Sequence, residues 1–231
     1  MNRVEMIAGE PVLKTGVRLA EVLARLEAGG ALDRVRDALS LDTADVISAL
    51  VFAALGAEDD LGPPLVQAAP HYSWAAEAAS ENSLAKLFPN APRPALLALS
   101  AGLLQIHDVW DASHEAASQA DDLGEHKVSA YWHGIAHRRE PDAGNSAYWF
   151  RQVGPHAIFR PLWEAAQPLL AAHGDRSLTD RLGAGGTWNP QAMIDLCTTA
   201  PHATPTEQLA RRLQRLEMLT LLDPSFAQAS G

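Results

Sequence analysis

Apolar residues recur at helical spacing through most of the chain. In segment 19–26, Leu and Val follow one another at intervals of three and four residues, and a Gly-Gly pair ends the pattern. The predicted helices span about 19–28, 32–39, 43–56, 71–88, 95–106, 110–120, 128–139, 145–153 and 161–173, and two more begin at Pro190 and Pro205. The chain is rich in Ala and Leu and poor in β-branched runs. The predicted fold class is therefore all-α.

One break divides the chain. Residues 57–70, AEDDLGPPLVQAAP, join an acidic run to Gly-Pro-Pro, which stops helices. We predict a three-helix module at 1–57, a linker at 58–72 and a helical-repeat-like domain at 73–231. The tight turn at 40–42, between short helices, is typical of a helix-turn-helix core.

The chain contains a weak internal repeat. Similar residues recur at an offset of about 34 residues, which is the period of tetratricopeptide helix–turn–helix repeats. This offset places Asp108-x-x-Asp111 over Asp142-x-x-Asn145 and Ser100 over Gly134. We therefore expect a tetratricopeptide-like domain, with a generic helical bundle as the alternative.

Charge and composition limit the classes of function that the chain can have. The formal net charge is −10, so the chain as a whole does not attract phosphate backbones or anionic membranes. Cys197 is the single cysteine and suits a reducing compartment. The N-terminus lacks the apolar core of a signal peptide, and the longest apolar run, about 95–106, is too short to span a bilayer. We expect a soluble cytoplasmic protein with no membrane contact.

Histidines and acidic residues cluster between positions 107 and 137. His133 and His137 are four residues apart on a predicted helix, so both point to one face, a spacing that can bind a metal. The polar residues of the preceding hairpin are His107, Asp108, Asp111 and His114. Together they offer the N and O ligands of a zinc or iron site. The alternative is a structural network without a cofactor, in which Asp fixes the imidazoles and Arg138 or Arg139 pairs with Glu140 or Asp142.

A basic and aromatic segment follows. It contains Arg138, Arg139, Arg151, Arg160, Tyr148, Trp149 and Phe150. Guanidinium groups and aromatic faces suit carboxylate or phosphate ligands. The residues that we expect at a ligand-binding surface are His107, Asp111, His114, Arg138, Asp142, Asn145, Tyr148, Trp149, Arg151 and His156. The alternative is that the aromatic run is ordinary helix core.

Residues 5–56 contain four short features that occur together: a Gly9-Glu10-Pro11-Val12 entry, Gly16-x-Arg18, Gly29 and a Thr43-Ala44-Asp45-Val46 helix start. With these features the segment resembles the antitoxin-like domain-of-unknown-function 433 family. The resemblance implies a homeodomain-like helical fold that binds DNA or a protein partner. The residues argue against DNA, because segment 1–56 holds six basic and eight acidic groups and its third helix has no Lys or Arg.

Residues 92–222 resemble a family of uncharacterised bacterial helical proteins. The resemblance rests on a His-Arg-Arg-Glu-Pro-Asp run from His137 and on Asn-x-x-Tyr-Trp-Phe-Arg from Asn145. It implies that the His, Arg and aromatic residues of this block belong together, and it implies no activity.

Three functions follow as hypotheses. The first is a non-catalytic binding or scaffold protein, whose partner is another protein, a second copy of the chain or a small anionic ligand. The second is a metal-dependent enzyme, a hydrolase, built on His133 and His137. The third is a DNA-binding regulator that uses residues 5–56.

Overall fold

A short β-hairpin opens the computed structural model, which describes residues 3–56 and 61–231. Strand β1 (Val4–Ile7) pairs antiparallel with β2 (Glu10–Leu13), and Val4 lies opposite Leu13. Ala8 and Gly9 join the strands, both with positive φ, which matches the twist of a two-residue hairpin loop.

Thirteen α-helices follow within these two ranges, and the predicted all-α class is confirmed. They are α1 (Leu19–Glu27), α2 (Leu32–Ala38), α3 (Thr43–Leu55), α4 (Ala75–Ala78), α5 (Glu81–Leu87), α6 (Arg93–Ile106), α7 (Trp110–Asp122), α8 (Val128–Arg139), α9 (Ala143–Val153), α10 (Phe159–His173), α11 (Arg176–Leu182), α12 (Pro190–Thr199) and α13 (Pro205–Ser230). The predicted helix at 71–88 is two helices, because the Ser80 hydroxyl accepts the Ser83 N–H and starts α5.

The three predicted N-terminal helices are present as α1, α2 and α3. Asp42 caps α3, its carboxylate accepting the Asp45 N–H while the Asp45 carboxylate accepts the Asp42 N–H. A single hydrophobic cluster extends from Val4 to Ala229 and includes these helices. A second cluster joins α10, α11 and α12 to the first half of α13. Whether the N-terminal helices fold as a separate domain stays a prediction.

The predicted linker packs against the helices where it is described. The Gln67 N–H donates to the Arg139 carbonyl, and Arg139 donates to the Pro64 carbonyl. From α13, Arg211 donates to the Gly62 carbonyl. Position 57 of the predicted module and positions 58–60 of the linker lie outside the described residues.

Two helix pairs, α6 with α7 and α8 with α9, position the candidate site. The same hydrogen bond joins the helices of each pair. The Ser113 hydroxyl on α7 donates to the Ala101 carbonyl at 2.8 Å, and the Ser146 hydroxyl on α9 donates to the Gly134 carbonyl at 2.7 Å. Ser113 therefore corresponds to Ser146 in the second pair. The offset between these two residues is slightly shorter than the period of the internal repeat in the sequence. A tetratricopeptide-like arrangement stays a prediction.

In the described part of the chain, no single helix is long and apolar enough to cross a membrane, although α2 and α3 together reach that length and composition across a bend of 114°.

Candidate functional site

Three imidazoles converge between α7 and α8. His133 and His137 lie one turn apart on α8, as predicted, and His114 reaches them from α7. The Nε2 atom of His114 lies 2.9 Å from Nε2 of His133 and 3.3 Å from Nε2 of His137. One ligand nitrogen from each of the three side chains fits within 4.8 Å of the others. The three nitrogens therefore surround one point.

Carboxylates hold two of the three rings. His133 Nδ1 lies 3.1 Å from the Asp121 carboxylate, which also accepts the Ser129 hydroxyl. His137 Nδ1 lies 3.0 Å from the Glu140 carboxylate. Because a carboxylate accepts the Nδ1–H, the Nε2 of each of these rings carries a lone pair. Both lone pairs point toward His114.

This arrangement leaves one contact unsatisfied without a cation. A neutral His114 can donate a single Nε2–H, which satisfies one neighbouring lone pair and leaves the other facing nitrogen across about 3 Å. Protonation is opposed by burial, which lowers the pKa of His114 and of His137, and by the charge that each imidazole would place beside the others. A tetrahedral ion with N ligands at about 2.0–2.1 Å places them about 3.3 Å apart, close to the separations here.

Aromatic rings enclose the imidazoles. The Trp149 ring stacks on His133 with centroids 3.7 Å apart and planes within 16°. The Trp110 ring stacks on His114 at 5.0 Å and 22°, and its indole N–H donates to the Ala136 carbonyl. The cluster opens into a pocket of about 540 Å³. The lining residues are Trp110, His114, Ser118, His133, His137, Glu140, Asp142, Asn145, Tyr148 and Trp149.

Seven of the predicted site residues thus share one pocket. They are His114, His133, His137, Asp142, Asn145, Tyr148 and Trp149. Sequence reasoning missed Asp121, Trp110 and Ser118, and it assigned Glu140 to an arginine rather than to His137. Asp121 is 12 residues before His133 and on another helix, so no periodic pattern connects the two.

The other five predicted residues lie outside that pocket. His107 is buried against Tyr72 and Trp74, and His156 packs beside Tyr131. Asp111 and Arg151 are exposed.

Arg138 is fully buried, and this corrects the expected basic surface. Its guanidinium donates to Glu217 at 2.6 Å, and neither side chain is exposed. Arg139 is buried too and pairs with Asp108. The partners are therefore not Glu140 or Asp142, contrary to the network alternative, and the predicted patch loses its two central charges.

His107 borders a second cavity, of about 530 Å³, with Tyr72, Asp108 and Arg211 also in its wall. The His107 ring is 3% exposed, and its Nε2 has no hydrogen-bond partner within the described residues. Burial lowers the pKa of His107 from 6.5 to about 4, against the smaller opposing effect of a hydrogen bond to the Leu50 backbone. The ring is therefore neutral at pH 7.

We expect His107 to make the protein less stable as the pH falls from about 6.5 to about 4. In that window the unfolded chain takes up a proton that the folded chain does not, so the free energy of unfolding falls with pH, by up to about 3 kcal/mol. Urea unfolding at a series of pH values measures this slope, and in His107→Gln it should be shallower than in the parent. His202→Gln, at a side chain that is 93% exposed, is the matched control. Equal slopes in the parent and His107→Gln would contradict the assignment.

Comparison of the chain with models of protein families, with curated proteins and with solved structures found no significant match.

Proposed function

We propose that this protein is a metal-dependent hydrolase. It binds one divalent transition-metal ion, with zinc as the first candidate, through Nε2 of His114, His133 and His137. The observation that supports the proposal is the convergence of three Nε2 lone-pair positions, two of them oriented by carboxylates. Carboxylate-supported histidines are the usual outer arrangement of zinc ligands. Neutral imidazoles also suit iron, so metal analysis decides the ion.

The number of ligands favours catalysis over a structural role. Structural zinc sites use four protein ligands, whereas catalytic sites use three and leave a position for water or substrate. Here three histidines converge, and the cluster faces an open pocket. A zinc ion at such a site lowers the pKa of bound water to about 7.

Hydrolysis is the reaction class that this donor set suits. Water adds its oxygen to a carbonyl carbon, the bond to the leaving group breaks, and the leaving group takes up a proton. Glu140 lines the same pocket and would accept and return the proton of water. Trp110 and Trp149 stack on His114 and His133 and help to fix the positions of those two rings.

Metal analysis tests the proposal first. We expect about one zinc, iron or manganese ion per chain in the purified, untagged protein, and almost none in His133→Gln/His137→Gln or in His114→Gln. Asp121→Asn should keep the three ligands but bind the metal about 10–100-fold more weakly, since it removes an orienting carboxylate. His202→Gln changes an exposed histidine outside the cluster and serves as the control.

Two results would contradict the proposal. One is a parent protein that stays metal-free after incubation with zinc. The other is a His133→Gln/His137→Gln variant that retains metal at the parental stoichiometry.

A non-catalytic binding protein is the second candidate, and one observation favours it. Tyr148 is 47% exposed at the pocket, an aromatic surface that suits a ligand held without reaction. Hydrolysis of a nitrophenyl ester that is lost on chelation and restored by zinc would favour the enzyme. A metal-loaded protein that hydrolyses no ester or amide would favour binding alone.

DNA binding has less support. Residues 45–51 of α3, the helix in the recognition position of a helix-turn-helix core, are all buried.

A further inference from the structure

The pocket beside the histidine cluster is acidic. Glu140 and Asp142 line it, and its wall contains no Lys or Arg among the described residues. The two arginines nearest in sequence, Arg138 and Arg139, are buried in ion pairs with Glu217 and Asp108. A phosphate or carboxylate ligand would therefore meet two carboxylates and no guanidinium.

These carboxylates lie beside His137, one of the three proposed ligands. Oxygens of Glu140 and Asp142 and one nitrogen of His137 all lie within 4.8 Å of one another. Asp121 adds a third carboxylate behind His133. Three carboxylates outnumber the two positive charges of a divalent ion, so the loaded site keeps an excess of negative charge. The formal net charge of −10 on the whole chain adds to the same potential.

Aromatic rings complete the recognition surface. Trp110, Tyr148 and Trp149 line the same pocket, and the Tyr148 ring meets Trp149 edge-on at 5.5 Å. Aromatic faces and carboxylates together attract organic cations. Among the described lining residues, none carries a positive charge that would attract an anion, which leaves that role to the ion itself.

We propose that the substrate is a small cationic molecule, an ester or amide with an ammonium or guanidinium group near the bond that is hydrolysed. This inference rests on the proposed function, since it concerns the same pocket with its ion in place. The ion would polarise the carbonyl oxygen, and Asp142 would pair with the positive group, while Glu140 would remain the proton acceptor. This cationic substrate takes the place of the small anionic ligand that we predicted from the sequence.

Cobalt-loaded protein tests the inference without any turnover. Three short alkyl hydroxamates of equal length, ending in an ammonium, a methyl group or a carboxylate, all bind metal through the same group. We expect the visible cobalt spectrum to report the tightest binding for the ammonium ligand and the weakest for the carboxylate, with about fivefold between successive dissociation constants. Asp142→Asn should reduce the preference for the ammonium ligand, and its asparagine still caps α9. Asp111→Asn, at an exposed position outside the pocket, should leave the order unchanged.

The outcomes separate this inference from the function on which it rests. Cobalt binding with equal or reversed affinities for the three hydroxamates overturns the inference and leaves the metal site standing. So does a second cobalt ion per chain that Asp142→Asn removes, since the carboxylates would then be metal ligands. Failure to bind cobalt at all, or equal binding by His133→Gln/His137→Gln, overturns the proposed function and the inference with it.

Discussion

Replacing Glu217 by Gln is expected to destabilise the protein by about 3–5 kcal/mol, because it leaves a buried arginine without its counter-charge. Glu217 accepts hydrogen bonds from Arg138 at 2.6 Å, Tyr131 at 2.8 Å and Trp188 at 3.2 Å, and it is fully buried. Burial is the largest single effect on the pKa of Arg138 and lowers it, but the charge of Glu217, its hydrogen bond and the neighbouring groups together raise that pKa. The guanidinium therefore stays charged, and the amide of the variant offers it only a neutral oxygen. Urea unfolding followed by circular dichroism measures the loss.

Glu164→Gln is the matched control for this variant. Glu164 pairs with Arg160 at 3.1 Å, but the two side chains are 65% and 80% exposed. An exposed pair of this kind contributes about 0–1 kcal/mol. Similar small losses in the two variants would mean that the Arg138–Glu217 pair is hydrated in solution, contrary to the burial of both side chains. If Glu217→Gln is too unstable to purify, the double variant Arg138→Met/Glu217→Met provides the test. It should be more stable than Glu217→Gln because it removes both charges.

Trp132→Ala is expected to cost about 3–5 kcal/mol, the range for deletion of a large buried aromatic side chain. Trp132 on α8 is fully buried, and its indole N–H donates to the Ser225 hydroxyl on α13. A Cβ atom added at Gly102 would lie 2.6 Å from its ring, so α6 has a glycine where the ring packs. The side chain thus joins three helices. The change in the urea midpoint, at unchanged slope, measures the effect.

Tyr148→Ala provides the comparison for Trp132→Ala. Tyr148 is 47% exposed, so its removal should cost much less. Gly102→Ala offers an independent check, because overpacking against Trp132 should destabilise by about 1–3 kcal/mol. A stable Gly102→Ala protein combined with a small loss in Trp132→Ala would show that α6 and α8 do not pack as described.

The candidate site was predictable in part. His133 and His137 are on one helix, where four-residue spacing places both on a shared face, so their proximity followed from the sequence alone. The hairpin next to them was expected to place further polar side chains beside the pair, and His114 lies there. The same expectation included His107 and Asp111, which the structure places elsewhere. Spacing identifies the face within a helix, but the angle between α7 and α8 decides which residue of α7 reaches it.

The positions of the charged residues were the feature that the sequence predicted least well. Arg138 and Arg139 were expected in a basic surface that suits an anionic ligand, and both proved to be buried. Their partners Glu217 and Asp108 are 79 and 31 residues away in the chain. A local pattern cannot indicate such burial, because the free energy of burying a guanidinium depends on a counter-charge supplied by another helix.

Local sequence patterns were enough to predict the helical class, the N-terminal helices and the histidine pair on α8. These features depend on interactions within a few residues: apolar periodicity, capping side chains and helix-stopping glycine and proline. Tertiary packing then brought His114 and Asp121 to that pair, removed the arginines from the surface and left Glu140 and Asp142 at the pocket. Those outcomes depend on how helices that are distant in sequence pack, and they set the sign of the charge that the site offers to a ligand.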